Sequence, residues 1–149
     1  MPVSDIARPN VVTVPLETSL SAVARTMNER SVGCVVVVDD EEPVGLVSDR
    51  DLALVILDEE TDPETLTVDA LLTQEFVTVT ADTGIYDVIE LLSQRGLRRV
   101  PVVDGDELVG IVSLSDVIVL LGMEFQHVVN AIRTTAPAYE HPASDVYEY

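Results

Sequence analysis

The sequence predicts an α/β protein built from two βαββα repeats. Three observations carry that expectation. Gly45-Leu46-Val47-Ser48-Asp49-Arg50-Asp51 returns 65 positions later as Gly110-Ile111-Val112-Ser113-Leu114-Ser115-Asp116. The surroundings repeat at the same shift: Val3 with Val68, Val12-Thr13-Val14 with Val77-Thr78-Val79, Thr18 with Thr83, and Val37-Val38-Asp39 with Val102-Val103-Asp104. No gap is needed, and chance does not hold register over a whole repeat, so the chain is an internal duplication. The third observation is periodicity. Leu20, Val23, Ala24 and Met27 fall at helical spacing, and so do Ile85, Val88, Ile89 and Leu92.

Taken in order, residues 3–7 form a short helix or turn leading in. Val11 to Val14 is an extended run ended by Pro15. Thr18 is placed to cap the first helix, and Gly33 to end that segment. Cys34 to Val38 reads as a buried strand, Asp39 to Glu42 as a polar turn and Val44 to Ser48 as the returning strand. A second helix follows over about 50–57. Residues 58–66 are an acidic linker, after which the pattern restarts. The expected divisions are 1–60, 61–123 and a helical extension with a tail over 124–149. One copy cannot cover both faces of its three-strand sheet. The copies are therefore expected to pack about a pseudo-twofold axis, with equivalent clefts between them where small ligands bind.

Leu52 to Leu57 and Val117 to Leu121 are apolar all round. Helices with no polar face lie buried or in an interface. In a chain of 149 residues they are expected to face a second copy, giving a homodimer. The helix after Gly122 should run to about Arg133, and the tail beyond it, with Pro137, Pro142 and Tyr139, Tyr147 and Tyr149, should be extended.

Charge narrows the partners. Eight arginines, no lysine and 27 acids give a net charge of −19. Such a chain repels nucleic acid and anionic membranes. Its 47% hydrophobic content argues against disorder. Adaptation to a high-salt cytoplasm, where self-repulsion is screened, accounts for both. No signal peptide or membrane-length apolar run is present, which points to a cytoplasmic protein. Cys34 has no disulfide partner in the chain and reads as a small buried hydrophobe. Asp104-Gly105-Asp106-Glu107 reads as a hairpin turn rather than a calcium loop, and His127 and His141 have no metal-binding pattern. There is no phosphate-binding glycine loop, nucleophile elbow or zinc spacing, so an enzyme is not expected.

The doubled Gly-apolar-Val-Ser-x-x-Asp motif, with Arg98-Arg99-Val100-Pro101-Val102-Val103-Asp104 ahead of its second copy, resembles a tandem pair of CBS (cystathionine beta-synthase) domains, a Bateman module. The resemblance covers about residues 3–121. It implies a regulatory module that binds an adenosine-containing ligand, AMP, ADP, ATP or S-adenosylmethionine, without a required cofactor. It implies that Asp51 and Asp116 accept from ribose hydroxyls and that Ser48 and Ser113 lie near ribose or phosphate. Ser115 adds a hydroxyl where the first copy has Arg50, Val12 or Val77 lines the adenine, and Thr18 or Thr83 lies near the ligand. Arg98, with Arg99 beside it, stands where relatives place a base against phosphate; the first copy has Gly33 there.

The chemistry fits on its own terms. A carboxylate suits a vicinal diol, a serine at a helix start joins anion-favouring N–H groups, and arginine offers phosphate a planar fork. The expected function is a free-standing sensor that transmits ligand binding to an unidentified partner protein. The alternative is a ligand-free homodimeric interaction scaffold.

Overall fold

The computed structural model describes residues 1–135 except Glu59 and Gln74. The predicted tail, with His141 and its tyrosines, lies outside the described residues. Contacts divide the chain into Met1–Leu114 and a unit beginning at Ser115.

Met1–Leu114 contains two three-stranded sheets, each assembled in the predicted order. In the first, β1 (Thr13–Pro15) pairs parallel to β2 (Cys34–Asp39), which pairs antiparallel to β3 (Glu42–Ser48). Helix α1 (Leu20–Arg30) links β1 to β2, and α2 (Asp49–Ile56) follows β3. The second sheet repeats this with β4 (Val79–Thr80), α3 (Ile85–Arg95), β5 (Arg99–Asp104) and β6 (Glu107–Ser113). The register shift between Val37 and Val38 recurs between Val102 and Val103. Thus even the irregularity is duplicated. The sheets meet along β3 and β6.

Two local differences have simple causes. In the first sheet the Val36 N–H donates to the Val12 carbonyl at 3.0 Å. Pro101 stands at the equivalent place and has no N–H to give, so β4 is one residue shorter than β1. The first hairpin turn holds Asp40 and Glu41 at φ 45° and 71°. The second places a glycine, Gly105, at its positive φ of 61°.

The expected helix ends are corrected. Ser19, not Thr18, caps α1 and accepts from the Ala22 N–H. Thr18 instead donates its hydroxyl to the Pro15 carbonyl at 2.7 Å. Gly84, not Thr83, stands at the cap of α3, and the Thr83 hydroxyl lies 3.0 Å from that of Thr80. Ser31, in the left-handed conformation at φ 54°, ends α1 two residues before Gly33. Of the predicted stripes, Leu20, Val23, Met27, Val88 and Leu92 are buried, while Ala24, Ile85 and Ile89 are half-buried.

The lead-in segments are exchanged between the repeats. Val3, in the 3-10 turn Val3–Asp5, belongs to the core of the second sheet with Val79, Val88 and Val100. Val68, in the 3-10 turn Val68–Leu71, belongs to the core of the first with Val14, Leu20 and Val37. The bonds that fix them are reciprocal. The Val3 N–H donates to the Thr83 carbonyl at 2.7 Å, and the Val68 N–H to the Thr18 carbonyl at 2.8 Å. The Pro2–Gly84 bridge likewise matches the Ser19–Thr67 bridge. This reciprocity is the pseudo-twofold relation written in hydrogen bonds.

The exchange accounts for the motif glycines. A Cβ on Gly45 would fall 2.2 Å from Cδ2 of Leu72. A Cβ on Gly110 would fall 3.0 Å from the Cβ of Ala7 and 3.2 Å from the Arg8 carbonyl oxygen. Ala7 and Leu72 are themselves equivalent positions in the two copies. Each motif glycine leaves room for the segment arriving from the other repeat.

The second unit is the body of α4 (Leu114–Thr135), a 22-residue helix that continues past Gly122 as expected. No helix among the described residues is long and apolar enough to cross a membrane. The helices expected to be apolar all round carry solvent-facing side chains here: Leu54 and Ile56 on α2 with Leu57 at its C-cap, and Ile118, Val119 and Leu121 on α4.

Candidate functional site at the first helix start

The turn from β3 into α2 is built from Ser48, Asp49, Arg50 and Asp51. The Ser48 Oγ accepts from the Asp51 N–H at 3.2 Å, and the Asp51 Oδ2 accepts from the Ser48 N–H at 2.8 Å. This reciprocal cap satisfies two backbone donors that the first turn would leave open. The Ser48 hydroxyl also donates to Asp51 Oδ2 at 2.9 Å. Asp49 Oδ1 accepts from the Arg50 N–H at 2.8 Å. Asp51 is exposed and Ser48 half-buried, so both remain open to solvent while capping.

Two further elements converge on this corner. The Asp49 N–H donates to the Gly33 carbonyl at 3.0 Å, tying the start of α2 to the start of β2. The Leu114 N–H donates to the Arg98 carbonyl at 2.9 Å, the same bond in the second copy. Arg99, from the first position of β5, crosses toward the first repeat. A Cβ built on Gly33 would lie 3.3 Å from Asp49 Oδ2 and 3.9 Å from Arg99 Nη1. Gly33 therefore leaves open a space that both a carboxylate and a guanidinium border. Arg99 is half-buried, whereas Arg98 is exposed. Among the described residues neither guanidinium has a carboxylate within salt-bridge distance.

The other nominated residues stand as follows. Val12 packs against the first core and Val77 against the second, both half-buried. Thr18 and Thr83 spend their carbonyls on the exchanged segments and their hydroxyls on the turns before α1 and α3. Arg50 is exposed on α2. Ser113 closes β6, and Ser115 and Asp116 lie on the first turn of α4. The structure thus joins Ser48 to Asp51 in the cap and brings Arg99 near Gly33 and Asp49, two residues the motif reading passed over. The available signal was the pairing of Gly33 with Arg98 at the repeat shift, a missing side chain opposite a basic one.

One open hollow in Met1–Leu114 is lined by Glu42, Pro43, Phe76, Thr78, Val103, Gly105 and Asp106, none of them a nominated residue. Among the described residues no group of three or more His, Cys, Asp or Glu side chains is disposed to hold a metal ion.

Two sheets of this topology in duplicate, joined by exchanged lead-ins, define a tandem-repeat module of the Bateman kind. The CBS domain family profile matches residues 3–58 and again 68–122, and the chain belongs to that family. An uncharacterized protein of Methanopyrus kandleri is 32% identical over 119 residues, which is 78% of this chain. The chain spans 60% of that relative's length and 44% of that of a second, from Methanocaldococcus jannaschii. Among solved structures, Hypoxic Response Protein I, crystallised with two coordinated zinc ions, superposes with a TM-score of 0.72 at 30% identity, over 79% of this chain and 97% of that one. A CBS domain pair solved with 5′-methylthioadenosine and S-adenosyl-L-methionine superposes with a TM-score of 0.73 at 24% identity, over 83% and 98% of the two chains. That likeness is one of fold.

Proposed function

We propose that this chain is a regulatory module that binds an adenosine-containing ligand at the seam between its repeats and passes the bound state to a partner protein. Arg99 carries the reading. It is a half-buried cation in a chain of net charge −19, no acid among the described residues lies within salt-bridge distance of it, and it reaches from one repeat to the helix start of the other. An arginine left unpaired among so many acids is available to a ligand. Ser48 and Asp51, in the cap that Asp49 belongs to, would supply a hydroxyl and a carboxylate for a ribose diol. Ser113 and Asp116 are the second copy's equivalents by sequence, Ser115 adds a hydroxyl where the first copy has Arg50, and Arg98 stands next to Arg99. Val12 and Val77 would line adenine. The relative that holds 5′-methylthioadenosine and S-adenosylmethionine supports the ligand class. Signalling requires the ligand to bind one arrangement of the repeats more tightly than another, because equal binding shifts nothing.

Pairing of two copies through Leu54 and Ile56 of α2, Leu57 at its C-cap and the start of α4 belongs to this reading. Titration calorimetry with AMP, ADP, ATP and S-adenosylmethionine in molar KCl tests it. At least one ligand should bind, and Arg99→Ala, Arg98→Ala, Asp51→Ala and Asp116→Ala should each weaken it about tenfold or more, the loss of one charge-assisted contact. Unchanged affinity in all four variants removes the site assignment.

The scaffold reading has one observation in its favour. Ser48 and Asp51 already satisfy one another as a cap. If none of the four ligands binds, those residues are caps alone and the exposed apolar helices become the functional surface.

A further inference from the structure

Helix α4 carries a second pattern that the repeat does not contain. Ile118, Leu121, Phe125, Val128 and Ile132 follow one another at spacings of three, four, three and four. Leu114, four residues earlier, continues the series. That is the a/d alternation of a heptad, a narrow apolar stripe of period 3.5. These five side chains are 68%, 55%, 76%, 57% and 58% exposed. Val119 and Met123 are exposed off this stripe, and beyond Met123 the other side of the helix is polar, with Gln126 donating to Asn130 at 3.0 Å.

We infer that this stripe pairs with the same stripe of a second copy of this chain, in parallel, as a short two-stranded coiled coil. The inference extends the pairing proposed through α2 and rests on the reading of the chain as a homodimer. Three features select a second copy over another occupant. The first is residue type: β-branched Ile118 and Ile132 occupy two of the three a positions and Leu114 and Leu121 two of the three d positions, the combination that favours two parallel strands, with Phe125 at a and Val128 at d departing from it. The second is charge. Between Val117 and Arg133 the only acid is Glu124, in a chain with 27. Two copies of net charge −19 repel over most of their surface, and this acid-poor stripe is where they can approach. Glu124 falls at a g position, facing Gly122 or Val129 at e of the partner helix, so no like charges meet across the seam. The third is area. Six side chains exposing on the order of 100 Å² each give roughly 1,200 Å² for a pair, the lower bound of a stable interface.

The test uses the full chain with Cys34→Ala, which removes the only cysteine. Leu121→Cys and Val128→Cys are introduced singly, with Gln126→Cys as an outward control, and oxidised at micromolar protein in molar KCl. Parallel pairing brings each d residue against its own copy, so both stripe variants should crosslink to dimer and the control should not. Sedimentation should show Phe125→Glu weakening association about 100-fold, with Phe125→Leu restoring it. Crosslinking no greater than the control's, or at only one of the two stripe positions, overturns the parallel seam. So does a Phe125→Glu protein that associates like the parent. A Leu54→Glu variant separates the two contacts: loss of dimer there with the stripe variants unaffected places the whole interface on α2 and refutes the inference. Calorimetry on Phe125→Glu keeps ligand binding apart from pairing.

Discussion

Gly45→Ala probes the exchange of lead-in segments most directly. The added Cβ would lie 2.2 Å from Leu72 Cδ2, 3.2 Å from its Cγ and 3.3 Å from its Cδ1. Carbon atoms in contact sit about 3.5–4.0 Å apart, so the Leu72 side chain must retreat by more than 1 Å. Crowding of this kind costs about 1–3 kcal/mol. Replacing glycine where φ is negative returns roughly 0.4–1 kcal/mol by restricting the unfolded chain. The net loss should be about 1–2 kcal/mol, a fall in Tm of roughly 3–8 °C, read by thermal and urea unfolding. Leu72→Ala should rescue it. The double variant should be more stable than the sum of the single effects predicts, by about 1 kcal/mol. Gly110→Ala should behave differently. Its Cβ would meet the Ala7 Cβ and the Arg8 carbonyl oxygen, and that carbonyl is held by the Ile111 N–H at 3.0 Å. A backbone atom cannot change rotamer, so Ala7→Gly should rescue Gly110→Ala only in part. A Gly45→Ala protein as stable as the parent, or strict additivity with Leu72→Ala, would refute the packing argument.

Ser48→Ala should cost about 1 kcal/mol, because the Asp51 N–H loses its cap, and the loss should appear in urea melts with no ligand present. An unchanged midpoint would mean the cap does not hold in solution. Thermal stability should climb with KCl from 0.1 M to molar concentrations, as the screening length falls from about 10 Å to about 3 Å. A net charge of −19 gives the repulsion, and the 3.9 Å Arg95–Glu75 pair, exposed on both sides, does little to offset it. A flat or falling Tm over that range would remove the high-salt explanation of the composition.

The duplication was legible because repeated residues are visible whatever their neighbours. Its strands and helices followed from the spacing of apolar side chains, and Leu20, Val23 and Val88 all went where that spacing put them. The exchange of lead-ins was not legible. Val3 and Val68 are single buried valines in short turns, and nothing local says which sheet a turn will join. The shift of 65 aligned them correctly and still left their cores unassigned. Cap positions were missed by one residue at Thr18 and Thr83, because adjacent Ser19 and Gly84 meet the same backbone requirement. Between Arg98 and Arg99 the motif reading favoured the first. Arg98 precedes β5 and is exposed, whereas Arg99 opens the strand, is half-buried and sends its guanidinium to the first repeat's corner.

The two helix starts are the same by descent and unlike in charge, and this difference bears on which ligand the first corner would take under the proposed function. Asp49 and Arg50 of the first copy stand where the second has Leu114 and Ser115. At α2, Asp49 and Asp51 both lie in the first turn, where they complement the positive end of the helix dipole. A phosphate brought to that end would meet two carboxylates, with the exposed Arg50 between them in sequence and Arg99 near Gly33 in its favour. A ribose diol meets acceptors instead, and a sulfonium meets opposite charge. Asp49→Asn removes one of the two negative charges and keeps the side-chain shape. It should raise affinity for ATP severalfold and lower that for S-adenosylmethionine, a crossing of preferences that calorimetry on one variant can read. Equal shifts for both ligands would mean that Asp49 acts through the fold of the corner. No shift for either would put the ligand beyond the reach of its charge.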